Sequence, residues 1–234
     1  MSVASIQCRS LPAEGSEIRL QRYTNGALRA VITTERLLLR SVTSADTSAY
    51  VALYGDAEVM AKYGDGRPVS AETITNRVQN TWVRRWEQGI PFSAFAILEK
   101  GTDQFIGHIV VGFGDAPGQG ALAYLIHKTY WNRKIGSEAA DAIVRHFMSF
   151  IFEQRYSIEN AVFRTLEATA RLDNPASRAI LCKVGLRRVR QEERYGAERE
   201  VFTATVFSRP VNLIAAYADI EDDTAKEAIE RCIP

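Results

Sequence analysis

The chain has 234 residues, 46% of them hydrophobic, 24% charged and 9% aromatic, a composition that suits one large globular domain with extensions. Its 15 glycines and 7 prolines are too few for a collagen-like or low-complexity chain. The 29 basic and 28 acidic residues leave a net charge of +1, so there is no global footprint for nucleic acid or an anionic membrane. Three cysteines (Cys8, Cys182, Cys232) without metal-ligand spacing argue against a disulfide scaffold or a zinc site and for a reducing compartment. No apolar run approaches the roughly 18 residues of a membrane span, and the start MSVASIQCRSLPAEG lacks an apolar signal segment; the expected location is cytoplasmic.

Residues 1–30 mix turn formers with charges and are assigned to an N-terminal extension, residues 31–208 to the folded domain, and residues 209–234 to a C-terminal helical extension with an intermittent apolar stripe. TERLLLRSV reads as a strand, after which Thr43 and Asp46 have the spacing of a capping box for a helix through Tyr54. Ser70 can cap a second helix in which Ile74, Val78, Trp82 and Trp86 recur every four residues, a core stripe before it is a substrate wall. PFSAFAILE and QFIGHIVVGF form a hairpin about EKGTD, DAPGQG is a second turn, and ALAYLIH is a third strand. The next segment, KTYWNRKIGSEAADAIVRHFMSFIFEQ, carries Ala140, Ile143, Val144, Phe147 and Ile151 at helical spacing, entered at Gly136 and Ser137 with Glu138 in the first turn. Residues 162–170 suggest another strand. DNPASRAILCKVG is a helix with Asn174 as N-cap, Pro175 at its first position and Gly185 just past its end. REVFTATVF alternates and closes the sheet, while the charge-dense stretches 183–200 and 219–230 read as solvated faces. The order of strand, two helices, three strands, helix, strand, helix, strand predicts an α+β or mixed α/β domain, an antiparallel meander leading into strand–helix–strand crossovers.

The chemistry concentrates where the strand 121–127 passes through the loop 128–136 into a helix. Main-chain N–H groups at a helix start are unpaired and partly positive, and Arg133 and Lys134 add two formal charges beside Gly136. Other motifs are absent or bland. GFGDAPG lacks G-x-G-x-x-G spacing and precedes a strand, no P-loop occurs, and His108, His127 and His146 show no metal-binding spacing. Cys182, near the end of a helix with an apolar inner face, reads as structurally buried rather than as a nucleophile.

YLIHKTYWNRKIGSEA supplies His127, Tyr130, Trp131, Ile135, Gly136, Ser137, Glu138 and Ala139. Farther on stand Asn174, Ser177, Lys183, Gly185 and Leu186, and earlier the runs TERLLLR and GDAEVMAKYG. In this order, across about residues 33–207, they resemble the RimJ/RimL-like branch of the GNAT acetyltransferases. The resemblance implies a three-layer α+β fold with a central mixed, mostly antiparallel sheet flanked by helices. It implies acetyl-CoA as co-substrate without a metal, and direct transfer to an amine-bearing acceptor, either a protein N-terminus or a small molecule, by a monomer or homodimer. It places the pantetheine arm on the backbone of Leu125, Ile126 and His127, and the phosphates against Arg133, Lys134, Ile135, Gly136 and Ser137. Asn174 falls near the arm or its sulfur, and Ser177 is either the acid for the leaving thiolate or a residue that caps or orients its helix.

Three positions depart from the pattern: Lys134 replaces a turn glycine, Ala121 a strand carboxylate, and Leu181 the tyrosine that many relatives use as acid. Glu167 is the first candidate for a replacement base, followed by Asp115, Glu198 and Glu200. Neutralising a lysine amine at pH 7 costs about 4.6 kcal/mol, but an α-amine only about 1.0–1.4 kcal/mol. A site short of a strong base therefore suits peptide N-termini. The alternatives are a non-catalytic acyl-CoA sensor and an acetyltransferase for polyamine- or aminoglycoside-type amines.

Overall fold

The computed structural model describes residues 17–206. A meander opens the fold: β1 (Glu17–Arg22), β2 (Leu28–Thr33) and β3 (Leu37–Ser41). Helices α1 (Thr47–Gly55), α2 (Ala57–Met60), α3 (Ala71–Arg77) and α4 (Arg84–Glu87) follow, the last two joined by a π-helical turn at Val78–Val83. A second meander comprises β4 (Ala94–Glu99), β5 (Phe105–Phe113) and β6 (Gln119–Ile126). A helical rod then runs from α5 (Ile135–Asp141) through a π-helical turn (Ala142–Phe147) into α6 (Met148–Glu153). The short β7 (Ser157–Ile158) and β8 (Ala161–Val162) pair with each other. Last come β9 (Thr165–Arg171), α7 (Pro175–Lys183), β10 (Arg187–Arg194) and β11 (Ala197–Thr205).

Nine strands form one sheet in the order β1-β2-β3-β4-β5-β6-β9-β11-β10, antiparallel throughout except where β6 meets β9. This is the expected mixed, mostly antiparallel α+β architecture. On one face His108 packs its ring against Tyr50, Tyr54 and Trp82, at centroid distances of 5.2, 5.3 and 5.3 Å. The rod α5–α6 and helix α7 cover the other face; there Gly136 lies against Ile180 of α7, and a Cβ at Gly136 would come within 3.1 Å of the Ile180 Cδ1.

Several local expectations hold. The Thr43 N–H donates to Asp46 Oδ2 at 2.8 Å, and Arg40 grips the same carboxylate through two nitrogens at 2.6 and 2.8 Å. The Ser70 hydroxyl accepts from Thr73 N–H, and Asn174 Oδ1 accepts from Ser177 N–H. Ile74, Val78, Trp82 and Trp86 are all buried, and the Trp86 indole donates to the Ala94 carbonyl, so this stripe is core rather than substrate wall.

Other expectations need correction. β1 and β2 occupy residues assigned to an extension, and β2 runs across the boundary drawn at residue 31. Ile18 and Leu20 alternate with outward Glu17 and Arg19, so the hairpin buries one face and extends the sheet. REVFTATVF does not close the sheet: β11 lies between β9 and the edge strand β10, whose charges are largely exposed as expected of a solvated face, whereas Arg199 and Glu200 at the end of that stretch are buried. Cys182 is exposed because Leu181, one residue earlier, takes the inward position. The C-terminal extension, Cys8 and Cys232 lie outside the described residues.

His108 is fully buried; its Nε2 lies 2.7 Å from the Tyr54 hydroxyl, and its Nδ1 has no partner among the described residues. Burial first, and the Arg77 charge second, lower its pKa from 6.5 to about 3. The folded protein keeps the ring neutral while the unfolded chain protonates it below pH 6.5, so this contribution is complete above pH 6.5 and lost as pH falls toward 3. At about 1.4 kcal/mol per pKa unit, roughly 4–5 kcal/mol is at stake. Urea unfolding between pH 7 and pH 4 should show a steep loss of stability in the wild type. The loss should flatten in His108→Gln, and an unchanged slope in that variant would assign the acid sensitivity elsewhere.

Candidate active site

β6 and β9 pair in parallel at Gln119↔Thr165, Gly120↔Leu166 and Ala121↔Glu167, and then diverge, although β6 stays paired with β5 as far as Ile126↔Gly107. The ladder between β4 and β5 slips at Ile97/Leu98, an irregularity that raises local twist. Gly107 sits beside it, where a Cβ would collide with the Leu125 carbonyl oxygen. His127 N–H donates to the Ile106 carbonyl at 2.8 Å. By antiparallel alternation, the main-chain groups of Leu125 and His127 face β5, whereas those of Leu122, Tyr124 and Ile126 face the split. The Ile126 carbonyl accepts the Trp131 indole N–H at 2.7 Å. Of Leu125, Ile126 and His127, therefore, only Ile126 directs an N–H into the opening, and Tyr124 joins it.

The loop after β6 delivers the chain to a helix start. Asn132 and Lys134 adopt left-handed backbone conformations (φ 59° and 61°), which accounts for the glycine that the resembling pattern carries at Lys134. Lys134 is the N-cap of α5, and the first intrahelical bond runs from Glu138 N–H to the Lys134 carbonyl at 3.1 Å. The N–H groups of Ile135, Gly136 and Ser137 precede it and have no partner among the described residues, with the exposed Arg133 alongside. A carboxylate in this first turn would repel a phosphate, but Glu138 is neutralised. Thr34 Oγ1 donates to it at 2.5 Å, Arg36 N–H at 3.0 Å and the Arg36 guanidinium at 2.6 and 2.7 Å. A further Arg36 nitrogen holds the Arg133 carbonyl at 3.0 Å, so the start of β3 fixes the loop. On the other side, Lys128 bridges to Glu58 of α2 at 3.0 Å.

Across the split, α7 begins where β9 ends. Asn174 Oδ1 is occupied as the cap of this helix, accepting from Ser177 N–H at 3.1 Å. The Ser177 hydroxyl lies 3.0 Å from the Tyr124 phenol, a residue the sequence reading did not single out. Burial pushes the Tyr124 pKa up to about 12 against the opposing effect of the Ser177 hydrogen bond, so the phenol keeps its proton at neutral pH. Tyr124 and Ser177 thus place a pair of hydroxyls where Leu181, buried in the core, offers none. The signal for Tyr124 lay in its phase: it is two residues from Ile126, on the same side of β6.

Glu167, directly across from Ala121, is buried and held by arginines. Both terminal nitrogens of Arg190 lie 3.4 Å from one oxygen, Arg194 lies 3.8 Å from the other, and Gln119 donates at 3.4 Å. Asp115 pairs with Arg194 at 3.1 Å on the exposed rim, and Glu198 is exposed beside the β10–β11 turn. Glu200 falls on the α7 face, bound to Arg178 and Arg188 at 2.6 and 3.0 Å, and does not join the others. Among the described residues no group of three or more acidic, histidine or cysteine side chains could hold a metal, and no helix is long and apolar enough to cross a membrane.

Residues 36–187 match the family model described as an acetyltransferase (GNAT) domain. An uncharacterised N-acetyltransferase of Bacillus subtilis, YnaD, is 26% identical over 159 residues, covering 67% of this chain and 82% of YnaD. Among solved structures, a GNAT-family acetyltransferase from Bacillus anthracis superposes with a TM-score of 0.58 at 21% identity, covering 75% of this chain and 98% of that one. RimL, a ribosomal L7/L12 alpha-N-protein acetyltransferase in complex with coenzyme A, superposes with a TM-score of 0.59 at 15% identity, covering 76% and 99% of the two chains.

The clamp on the loop makes a direct prediction. Glu138→Ala releases the contacts of Thr34 and Arg36, and hydrogen exchange at residues 133–137 should quicken about tenfold, as for the loss of 1–3 kcal/mol of local hydrogen bonding. Arg36→Ala should act alike, and the double variant should add little. Independent, additive effects would mean that the loop is fixed by other contacts.

Proposed function

The chain belongs to the GNAT acetyltransferase family, and from that premise we propose that it moves the acetyl group of acetyl-CoA directly to an α-amine at a peptide N-terminus. The observation that carries this reading is the split between β6 and β9, with an unpaired main-chain edge on one side and a helix start with three free N–H groups at its end. An extended amide-bearing arm suits the open edge by strand addition, and a pyrophosphate suits the donors of Ile135, Gly136 and Ser137 with Arg133 and Lys134 beside them. The pantetheine contacts then fall to Tyr124 and Ile126 rather than to Leu125 and His127.

The neutral amine attacks the thioester carbonyl from the Glu167 side of the sheet. Main-chain N–H groups on the open edge of β6 stabilise the oxygen as it gains charge. When the carbon–sulfur bond breaks, the Ser177 hydroxyl gives its proton to the departing thiolate and takes one from the Tyr124 phenol, which is protonated at neutral pH and recovers its proton from water. The amine proton leaves through water or to Glu167. Because both oxygens of Glu167 are engaged by Arg190 and Arg194, the acceptor must bring a low amine pKa of its own. An α-amine does so, whereas a lysine side chain costs about 3 kcal/mol more to neutralise.

Release of coenzyme A thiol with a mixture of N-terminal peptides tests the activity, and binding without turnover on any amine would overturn it. Ser177→Ala and Tyr124→Phe should each lower kcat by about a hundredfold while leaving the KM for acetyl-CoA within twofold. A wild-type kcat in both variants at pH 7 would remove the hydroxyl pair from the mechanism.

A further inference from the structure

Among the described residues, Arg199 on the α1–α4 side of the sheet is a buried cation that no carboxylate pairs with. Arg199 is only 4% exposed, and its guanidinium is met by neutral groups: the Arg194 carbonyl at 3.2 Å, Thr169 Oγ1 at 3.3 Å, the Gly64 carbonyl at 2.5 Å and the Tyr195 ring, whose centroid lies 5.3 Å away. The neighbouring carboxylates serve other arginines: Asp173 holds Arg171, Glu167 and Glu192 hold Arg190, and Asp115 holds Arg194. Burial, and after it the Arg171 charge, push the Arg199 pKa below its ordinary value. A buried guanidinium met only by neutral groups lacks the compensation that a carboxylate would bring.

The position is telling. Arg199 pairs in register with Arg171, the last residue of β9, at the end where β9 has left β6. Thr169 and Glu167 precede Arg171 on the same face. The segment 61–66 crosses above: Gly64 supplies its carbonyl to Arg199, Gly66 lies beside the Arg171 guanidinium, and Lys62 donates to the Asp173 carbonyl. Tyr63 in this segment lies in the field of both Arg77 and Arg199. The acceptor's side of the split is therefore roofed by one loop and floored by cations.

We infer that the acceptor carries a carboxylate close to its reacting amine, and that Arg199, with Arg171 beside it, supplies the counter-charge. This deepens the N-acetyltransferase reading and rests on it. Polyamine- and aminoglycoside-type acceptors bring positive charge to this floor and are disfavoured. The same field opposes the protonated form of the acceptor amine, which helps a site whose buried carboxylate is held by arginines. Two sources share the chemistry: an acidic residue at or next to a peptide N-terminus, and the free carboxylate of a small amino acid.

The test uses the full chain at saturating acetyl-CoA and follows thiol release. One pair of acceptors is a short peptide amide with Asp or Asn in second position, and the other is an amino acid with a free or amidated carboxylate. The wild type should favour the acidic member of at least one pair by about tenfold or more in kcat/KM, and the favoured pair identifies the source. Arg199→Gln should reduce the preference to within twofold with the KM for acetyl-CoA unchanged. Should that variant not fold, Arg171→Gln decides, with at least a threefold loss of preference expected. No preference in either pair, or a preference untouched by the substitutions, overturns the inference. Calorimetry keeps the two levels apart: failure to bind acetyl-CoA sinks the underlying reading, whereas binding and turnover without acid preference sinks only this one.

Discussion

A parallel pairing that ends after three residues leaves a row of main-chain groups on β6 and β9 that no strand satisfies. In the interior of a sheet such groups are costly unless something else bonds to them. The divergence is built into the neighbouring strands. The irregular register between β4 and β5 twists the ladder, and Gly107 lets the Leu125 carbonyl approach more closely than any side chain would permit. β6 then ends against the Trp131 indole, and the chain turns directly into the start of α5. The unpaired edge and the unpaired helix start are thus consecutive features of one segment, and a ligand long enough to touch both is held at two points. Nothing else in the sheet has this property.

The helix start is kept cationic by an element almost a hundred residues away. Glu138 would, on its own, oppose a phosphate, yet it is surrounded by donors from Thr34 and Arg36, and Arg36 also reaches the Arg133 carbonyl. TERLLLR and GSEA look like independent patterns along the chain, but in the fold they are two halves of one contact. Their joint presence in the sequence has a physical reason: the loop before α5 is anchored to the body of the sheet through a paired carboxylate.

How much of this was legible depended on whether the relevant period was local. The caps of α7 and of the helix after Ser70 could be read because an N-cap is a relation between residues three apart. The alternation of β1 was equally local, with Ile18 and Leu20 inward, but flanking charges concealed it. β10 could not be read by period at all, since Arg187, Arg188, Val189, Arg190 and Gln191 are exposed in succession, as befits an edge strand that discourages further pairing. The fold was largely accessible, and so was the loop of the site. Tyr124 was not, because its meaning lies in the register of β6 with β5 and in a contact with Ser177, 53 residues later. Arg199 stayed hidden because charge in an alternating strand is assigned to solvent by default, and only the pairing with β9 shows it to be buried.

The question of the base also looks different in three dimensions. Ala121 removes a carboxylate from β6, but its register partner is Glu167, so the sheet restores an acid one strand away. Arg190 and Arg194 then engage both oxygens of that acid. An amine becomes nucleophilic either when the protein takes its proton or when it binds already neutral. The arginines weaken the first route and, through Arg199, favour the second, since a cationic floor repels an ammonium more than a free amine. At about 1.4 kcal/mol per pKa unit, moving an α-amine from near 8 to near 7 removes most of the cost of neutralising it. One set of guanidinium groups can therefore engage the carboxylate and lessen the need for it, and the proposed choice of acceptor is tied in this way to the electrostatics of the sheet rather than to a dedicated catalytic carboxylate.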